Sequence, residues 1–253
     1  MKVTFLGTGT SGGVPIIGCS CEVCTSTDPR DKRLRTSAMI EVNGKVFIID
    51  AGPDFRYQML RANVTSIDAL LITHGHRDHI GGLDDIRPFN YLQGQVVDLY
   101  CDRHAEAMIH EQYPYAFRDK DYAFAPKVNF HRVGHETFDV QGIRITPVEV
   151  MHYKLPVQAF RIADFTYITD AKTITDREKV KLKGTRTLVV NALHANEHLA
   201  HHTLEEALAL IREIGPETAY LIHMSHQFGR HVDMEGRLPA NVKIAYDGLV
   251  IEA

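Results

Sequence analysis

Thr73-His74-Gly75-His76-Arg77-Asp78-His79 places four potential metal donors within six residues, directly after the apolar run Ile67 to Ile72. A short apolar run that stops abruptly at polar residues reads as a buried strand whose C-terminal end opens into a loop. In an extended loop, residues two apart point the same way. His74 and His76 can therefore share one ion, while Asp78 and His79 turn toward a second. Imidazoles mixed with carboxylates suit zinc, manganese or iron, and the lack of thiolates leaves the metal open. The bland alternative is a solvated histidine run, but such runs rarely combine this spacing with a strand end.

Outward from this stretch the chain alternates short strands and amphipathic helices. Lys2 to Leu6 reads as a strand, and Ser37 to Val42 with Lys45 to Ile49 as a hairpin across Asn43-Gly44, a pair favoured in tight primed turns. A helix is expected near Asp54 to Ala62, and another from Asp78 to about Leu92, interrupted by Gly81-Gly82 and Pro88. Further strands are expected at Val96 to Tyr100, Val128 to Val133, Ile143 to Val150, Val157 to Ala163 and Phe165 to Thr169. The second half turns α/β, with helices near Thr175 to Lys181 and Leu204 to Ile214. Strands follow at Thr187 to Leu193, Thr218 to Ile222 and Val242 to Tyr246, the last continuing beyond Asp247-Gly248. Two strand-rich halves that each carry helices suggest an α/β fold with two sheets face to face and helices outside, a four-layer αββα sandwich.

The 253 residues are 44% apolar and 24% charged, enough to bury a core and without the composition of a disordered chain. No repeat, low-complexity tract or Pro/Ser-rich linker divides residues 1–253, so a single domain is expected. A formal charge of −4 argues against a broadly basic nucleic-acid surface. The N-terminal apolar run meets glycines after one strand's length, too short for a signal peptide, and nothing approaches a membrane span. A cytoplasmic protein is expected, with no membrane partner. In that compartment clustered cysteines bind metal more often than they form disulfides.

The signature His-x-His-x-Asp-His after a buried strand resembles the metallo-β-lactamase superfamily, and the resemblance runs along nearly the whole chain. It implies a third ligand block at His152, a bridging aspartate at Asp170 in Tyr-Ile-Thr-Asp, and a last histidine at His223 in Leu-Ile-His-Met-Ser-His. Carried over position by position, His74, His76 and His152 hold one divalent ion, Asp78, His79 and His223 the other, and Asp170 bridges. Asp50 resembles the family's supporting aspartate behind the ligands. Taken singly, His152, Asp170 or His223 would read as an ordinary polar residue at a strand end; their order changes that reading.

Cys19, Cys21 and Cys24 offer three thiolates, one short of a closed tetrahedral zinc site. His226 and Cys101 compete for the fourth position, and the resemblance favours His226. Leu-Gly-Thr-Gly-Thr-Ser-Gly-Gly-Val-Pro before the cysteines and His-Met-Ser-His-Gln-Phe at 223 to 228 are similar to a phosphodiesterase branch of the superfamily. That branch is typified by the phosphoribosyl 1,2-cyclic phosphate phosphodiesterase of the carbon–phosphorus lyase pathway, and it implies one structural zinc beside the catalytic pair. The glycines at 7, 9, 12 and 13 do not read as a nucleotide cradle, because Pro15 and the cysteines replace the helix such a loop should open.

Two neighbouring cations, manganese or zinc, can share a water and present hydroxide to a phosphodiester, with Asp78 orienting the nucleophile. His201, just before the helix at Leu204, is the expected general acid or phosphate contact, with the adjacent His202 as competitor. His194 and His198 read as polar loop residues, with a place in the pocket lining as the alternative. The aromatic stretch Tyr113 to Phe124 reads as a substrate flap, a homodimer contact or core cover. The leading expectation is hydrolysis of a small cyclic or nucleotide-like phosphodiester. Its rivals are tRNA 3′-end processing, disfavoured because no long basic arm is present, and a non-hydrolytic metal-binding relative in cofactor biosynthesis.

Overall fold

The computed structural model describes residues 1–118 and 124–253, so residues 119–123 of the aromatic stretch lie outside the described residues. In chain order the first half comprises β1 (Lys2–Gly7), β2 (Ser37–Val42), β3 (Lys45–Ile49), α1 (Phe55–Arg61), β4 (Ala69–Leu71), α2 (Arg77–Ile80), α3 (Arg87–Gln93), β5 (Val97–Cys101), α4 (Arg103–Gln112), α5 (Pro114–Arg118) and β6 (Val128–Arg132). The second half comprises β7 (Phe138–Val140), β8 (Ile143–His152), β9 (Leu155–Ile162), β10 (Phe165–Tyr167), α6 (Asp176–Lys179), β11 (Thr187–Asn191), α7 (Leu204–Ile214), β12 (Thr218–Ile222), α8 (His231–Glu235), β13 (Val242–Ile244) and β14 (Val250–Glu252). The strands form two sheets, ordered β14-β1-β2-β3-β4-β5-β6 and β13-β12-β11-β10-β9-β8-β7.

Three apolar clusters mark the three interfaces of a four-layer stack. Phe5, Ile40, Phe47 and Ile49 of the first sheet meet Phe160, Phe165, Tyr167, Val189 and Ile222 of the second. The neighbouring residues on the same strands face outward. Leu6, Ile48 and Leu70 pack with Phe55 of α1 and Ile109 of α4, and Leu188, Val190 and Leu221 pack with Leu208 and Ile211 of α7. Strands buried on both faces have no polar side to alternate with, which explains their near-continuous apolar runs. This is the expected αββα sandwich.

Local signals set the element ends. Asn43 and Gly44 both have positive φ, as the primed turn between β2 and β3 requires. Thr203 caps α7 in a reciprocal pair with Glu206, and Gly215 closes that helix in the left-handed conformation. The segment expected as one interrupted helix from Asp78 breaks into α2, a 3-10 turn at Leu83–Ile86, and α3. The helix α4 is not legible in the hydrophobic pattern, because only Ala105 and Ile109 of its residues are buried. Among the described residues no helix is long and apolar enough to cross a membrane.

Parallel pairing of β3 with β4 and of β10, β11 and β12 brings several strand ends to one rim. Asp50, Thr73, Asp170 and His223 each follow shortly after one of these ends, and His152 closes β8. Ligands of open α/β sheets collect outside such carboxyl ends.

Candidate dinuclear metal centre

Asp50 is the buried support of the rim. Its carboxylate accepts from the backbone N–H of Thr73 at 2.8 Å, from the Thr73 hydroxyl at 2.8 Å, and from Nδ1 of His79 at 2.7 Å. A carboxylate acceptor requires the proton on Nδ1, so a neutral, ligating His79 would offer its lone pair on Nε2. Without an ion, burial lowers the ring, but the Asp170 and Asp78 charges outweigh it and raise it well above the usual imidazole value. Nε2 of His79 faces Oδ2 of Asp78 at 3.2 Å and Oδ2 of Asp170 at 3.3 Å. Nε2 of His223 approaches Asp170 Oδ1 at 3.3 Å and Asp78 Oδ2 at 3.9 Å. Nδ1 of His152 donates to the Ala200 carbonyl at 2.8 Å, which likewise leaves Nε2 as the free donor.

The backbone shares in this arrangement. Asp50, Asp170 and His223 all adopt positive φ, at 63°, 54° and 58°. Non-glycine residues held there cost about 1–3 kcal/mol each and concentrate at functional sites. Asn191 holds the turn after Asp170 with two hydrogen bonds to the Ala171 backbone, at 2.8 and 3.0 Å. A Cβ at Gly75 would meet the Met108 side chain at 2.7 Å, so the glycine between His74 and His76 lets α4 pack against the loop.

The donors bear on what the site can hold. Among the described residues, Nε2 of His74, His79 and His223 are buried without a hydrogen-bond partner. Buried polar atoms without partners are rare, and several converging on two carboxylates mark the place of a cation. Burial, and then the neighbouring histidine charges, push His74 and His76 below the usual imidazole value, which keeps them neutral and able to ligate. Burial raises Asp170, but the His223 and His79 charges outweigh it and hold the carboxyl well below its ordinary range. The same opposition, led on the lowering side by His79, holds Asp78 far below normal. Donor atoms of His74, His79 and Asp170, of Asp78, His79 and His223, and of His152, Asp170 and His201 each fall within 4.8 Å of one another. Asp170 belongs to two of these groups. His76 lies outside them, with its ring 4.6 Å from that of His74 and 5.2 Å from that of His152.

The adjacent histidines separate cleanly. The His201 ring lies 4.5 Å from His152 and 4.7 Å from His223, with Nδ1 at 3.6 Å from Asp170 Oδ1. Burial and the His223 charge push it down to about 2, so His201 is a neutral imidazole. His202 turns the other way, toward Lys172 and Glu206. Burial pushes His202 down to about 4 against the pull of Glu206. An unfolded histidine takes up a proton near pH 6.5, whereas the folded one stays neutral to about 4. The stability His202 contributes is therefore complete above about pH 6.5 and is lost as pH falls toward 4. His202→Gln is expected to remove about 2–3 kcal/mol of that acid-side loss, read as a flatter pH dependence of the urea midpoint. An unchanged slope would refute this assignment. His198 stands in the loop before α7, as expected, with its ring 5.1 Å from that of His201.

The cysteines gather separately. Nδ1 of His226 lies 3.3 Å from Sγ of Cys19, 3.4 Å from Cys21 and 3.6 Å from Cys24. Tetrahedral zinc with ordinary bond lengths spaces sulfur and nitrogen about 3.5 Å apart, so the four donors fit that ion. The backbone N–H of Cys24, and then His226, lower the Cys21 thiol to about 6, while burial raises Cys24 to about 11. Cys101 is buried in the core between α4 and the first sheet, away from this cluster.

Comparison with known proteins places this geometry among relatives. The Beta-lactamase superfamily domain matches residues 45–224. A crystal structure of a new diphosphatase from the PhnP family aligns with TM-score 0.93 at 38% identity, covering 100% of this chain and 97% of the other. The octanoyltransferase of Porphyromonas gingivalis (strain ATCC BAA-308 / W83) is 39% identical over 252 residues, 98% of this chain and 51% of that protein. This chain thus spans about half the length of that curated relative. The zinc-bound PqqB of Methylobacterium extorquens, at TM-score 0.79 and 20% identity with full coverage of both chains, shares the fold.

Proposed function

Because this chain belongs to the beta-lactamase superfamily and, within it, to the PhnP family, we propose that it is a metal-dependent phosphodiesterase. The proposed reaction is hydrolysis of a P–O bond in a small cyclic or nucleotide-like phosphodiester or diphosphate. The observation that carries the reading is the convergence of unpartnered Nε2 atoms of His74, His79 and His223 on the carboxylates of Asp78 and Asp170. His74, His76 and His152 would hold one ion, Asp78, His79 and His223 the other, and Asp170 both. Cys19, Cys21, Cys24 and His226 would hold a separate structural zinc. Bound at the first site, two divalent cations, zinc or manganese, supply the charge that acidifies water and neutralises phosphate oxygens.

The chain's own groups do the rest. Asp78 is anionic and partly open to solvent, so its part is to orient the attacking water. His201 is neutral, and nearby cations would depress it further, so its part is to donate a ring N–H to a phosphate or leaving-group oxygen. Acyl transfer is not proposed, because the likeness to the octanoyltransferase spans only half of that protein.

A substrate panel tests the reading. Turnover of bis-p-nitrophenyl phosphate that manganese or zinc supports and chelator abolishes is expected. At least one of a 2′,3′-cyclic nucleotide, phosphoribosyl cyclic phosphate and a dinucleoside diphosphate should also be cleaved. Chelator-insensitive turnover, or cleavage of precursor tRNA alone, would overturn it.

A further inference from the structure

We infer that His198 is a positioning residue, whose Nδ1 fixes the turn presenting both His152 and His201 to the reacting centre. The inference rests on the reading of His201 given above and adds a residue to it. Nδ1 of His198 accepts the backbone N–H of Ala200 and the backbone N–H of His201, each at 3.2 Å. Two N–H donors on one ring nitrogen require a lone pair there, so neutral His198 carries its proton on Nε2. Asn and Asp side chains make this bond to backbone two and three residues ahead when they organise a turn. Here an imidazole takes that place.

The turn matters because of what its peptide groups hold. The Ala200 carbonyl accepts from Nδ1 of His152 and thereby leaves Nε2 of that ring unprotonated. The following residue is His201, whose ring packs against both His152 and His223. Without an acceptor at 198, the N–H groups of Ala200 and His201 lose their partner. The carbonyl that selects the His152 tautomer then moves with them. Groups that orient ligand imidazoles in this way typically change metal affinity or activity by about 10–100-fold when removed.

Two variants separate this role from simple packing. His198→Ala removes the acceptor, whereas His198→Asn keeps one at the same branch of the side chain. In metal-free protein, amide hydrogen exchange at Ala200 and His201 is expected to quicken about tenfold or more in His198→Ala and to stay near wild type in His198→Asn. With manganese and bis-p-nitrophenyl phosphate, His198→Ala should lose about 10–100-fold in kcat, and His198→Asn should recover most of it. Unchanged exchange at both amides in His198→Ala would overturn the inference, as would a folded His198→Asn no better than His198→Ala. His201→Ala at wild-type turnover would instead overturn the reading of His201, while the exchange result would still report on the turn.

Discussion

Asp170→Asn is expected to lower metal-supported turnover of a phosphodiester by about 10²–10³-fold or more. The side chain is almost wholly buried, and its two oxygens lie 3.3 Å from Nε2 of His79 and 3.3 Å from Nε2 of His223. An amide keeps the shape, but it removes the charge and points N–H donors where an acceptor is needed. Metal content measured by mass spectrometry should fall in step with activity. The chelated variant is expected to be less stable than the chelated wild type near neutral pH, because without an ion the His223 and His79 charges hold the buried carboxylate in its charged form. A variant that kept turnover within tenfold at full metal content would refute the bridging role.

The second large effect is expected at the cysteine cluster. Cys21→Ser should release about one zinc per chain and lower the thermal midpoint by about 10 °C or more. The segment between β1 and β2 is long and holds little regular structure, a 3-10 turn at Pro29–Asp31 and isolated bridges of Gly9 with Arg35 and Met224 and of Val14 with Arg33. Its own apolar cluster is small, built on Val14, Val23 and Cys24. A loop of that length needs another tie. It has one in His226, and another where Thr10 donates to the Met224 carbonyl and Met224 donates to that of Thr8. Loss of the ion should therefore loosen the backbone next to His223, with activity declining after stability. Unchanged zinc content and midpoint in Cys21→Ser would remove the structural site.

The sequence carried much of this, for identifiable reasons. The strands that bury both faces announce themselves as apolar runs, and Thr73 to His79 concentrates donors in one loop, so the sheets and the first ligand block were legible. His152, Asp170 and His223 were legible only through their order and family likeness, since each alone is a polar residue at a strand end. His201 and His202 are adjacent, and only the cap at Thr203 and the packing of α7 decide which one faces inward. His198 was legible only as a loop histidine, because its partners are backbone N–H groups, which no residue pattern displays. The helix α4 escaped because its buried stripe is too narrow to set a period.

The seam between the two sheets has a consequence for chemistry as well as cohesion. Asp50, His74 and His79 hang from one sheet, and His152, Asp170 and His223 from the other, so the gap between opposing donors is set by how Phe47, Ile49, Phe160 and Tyr167 mesh beneath them. Those aromatic and branched side chains act as a caliper. A methylene added or removed there would alter the spacing on which the reaction depends.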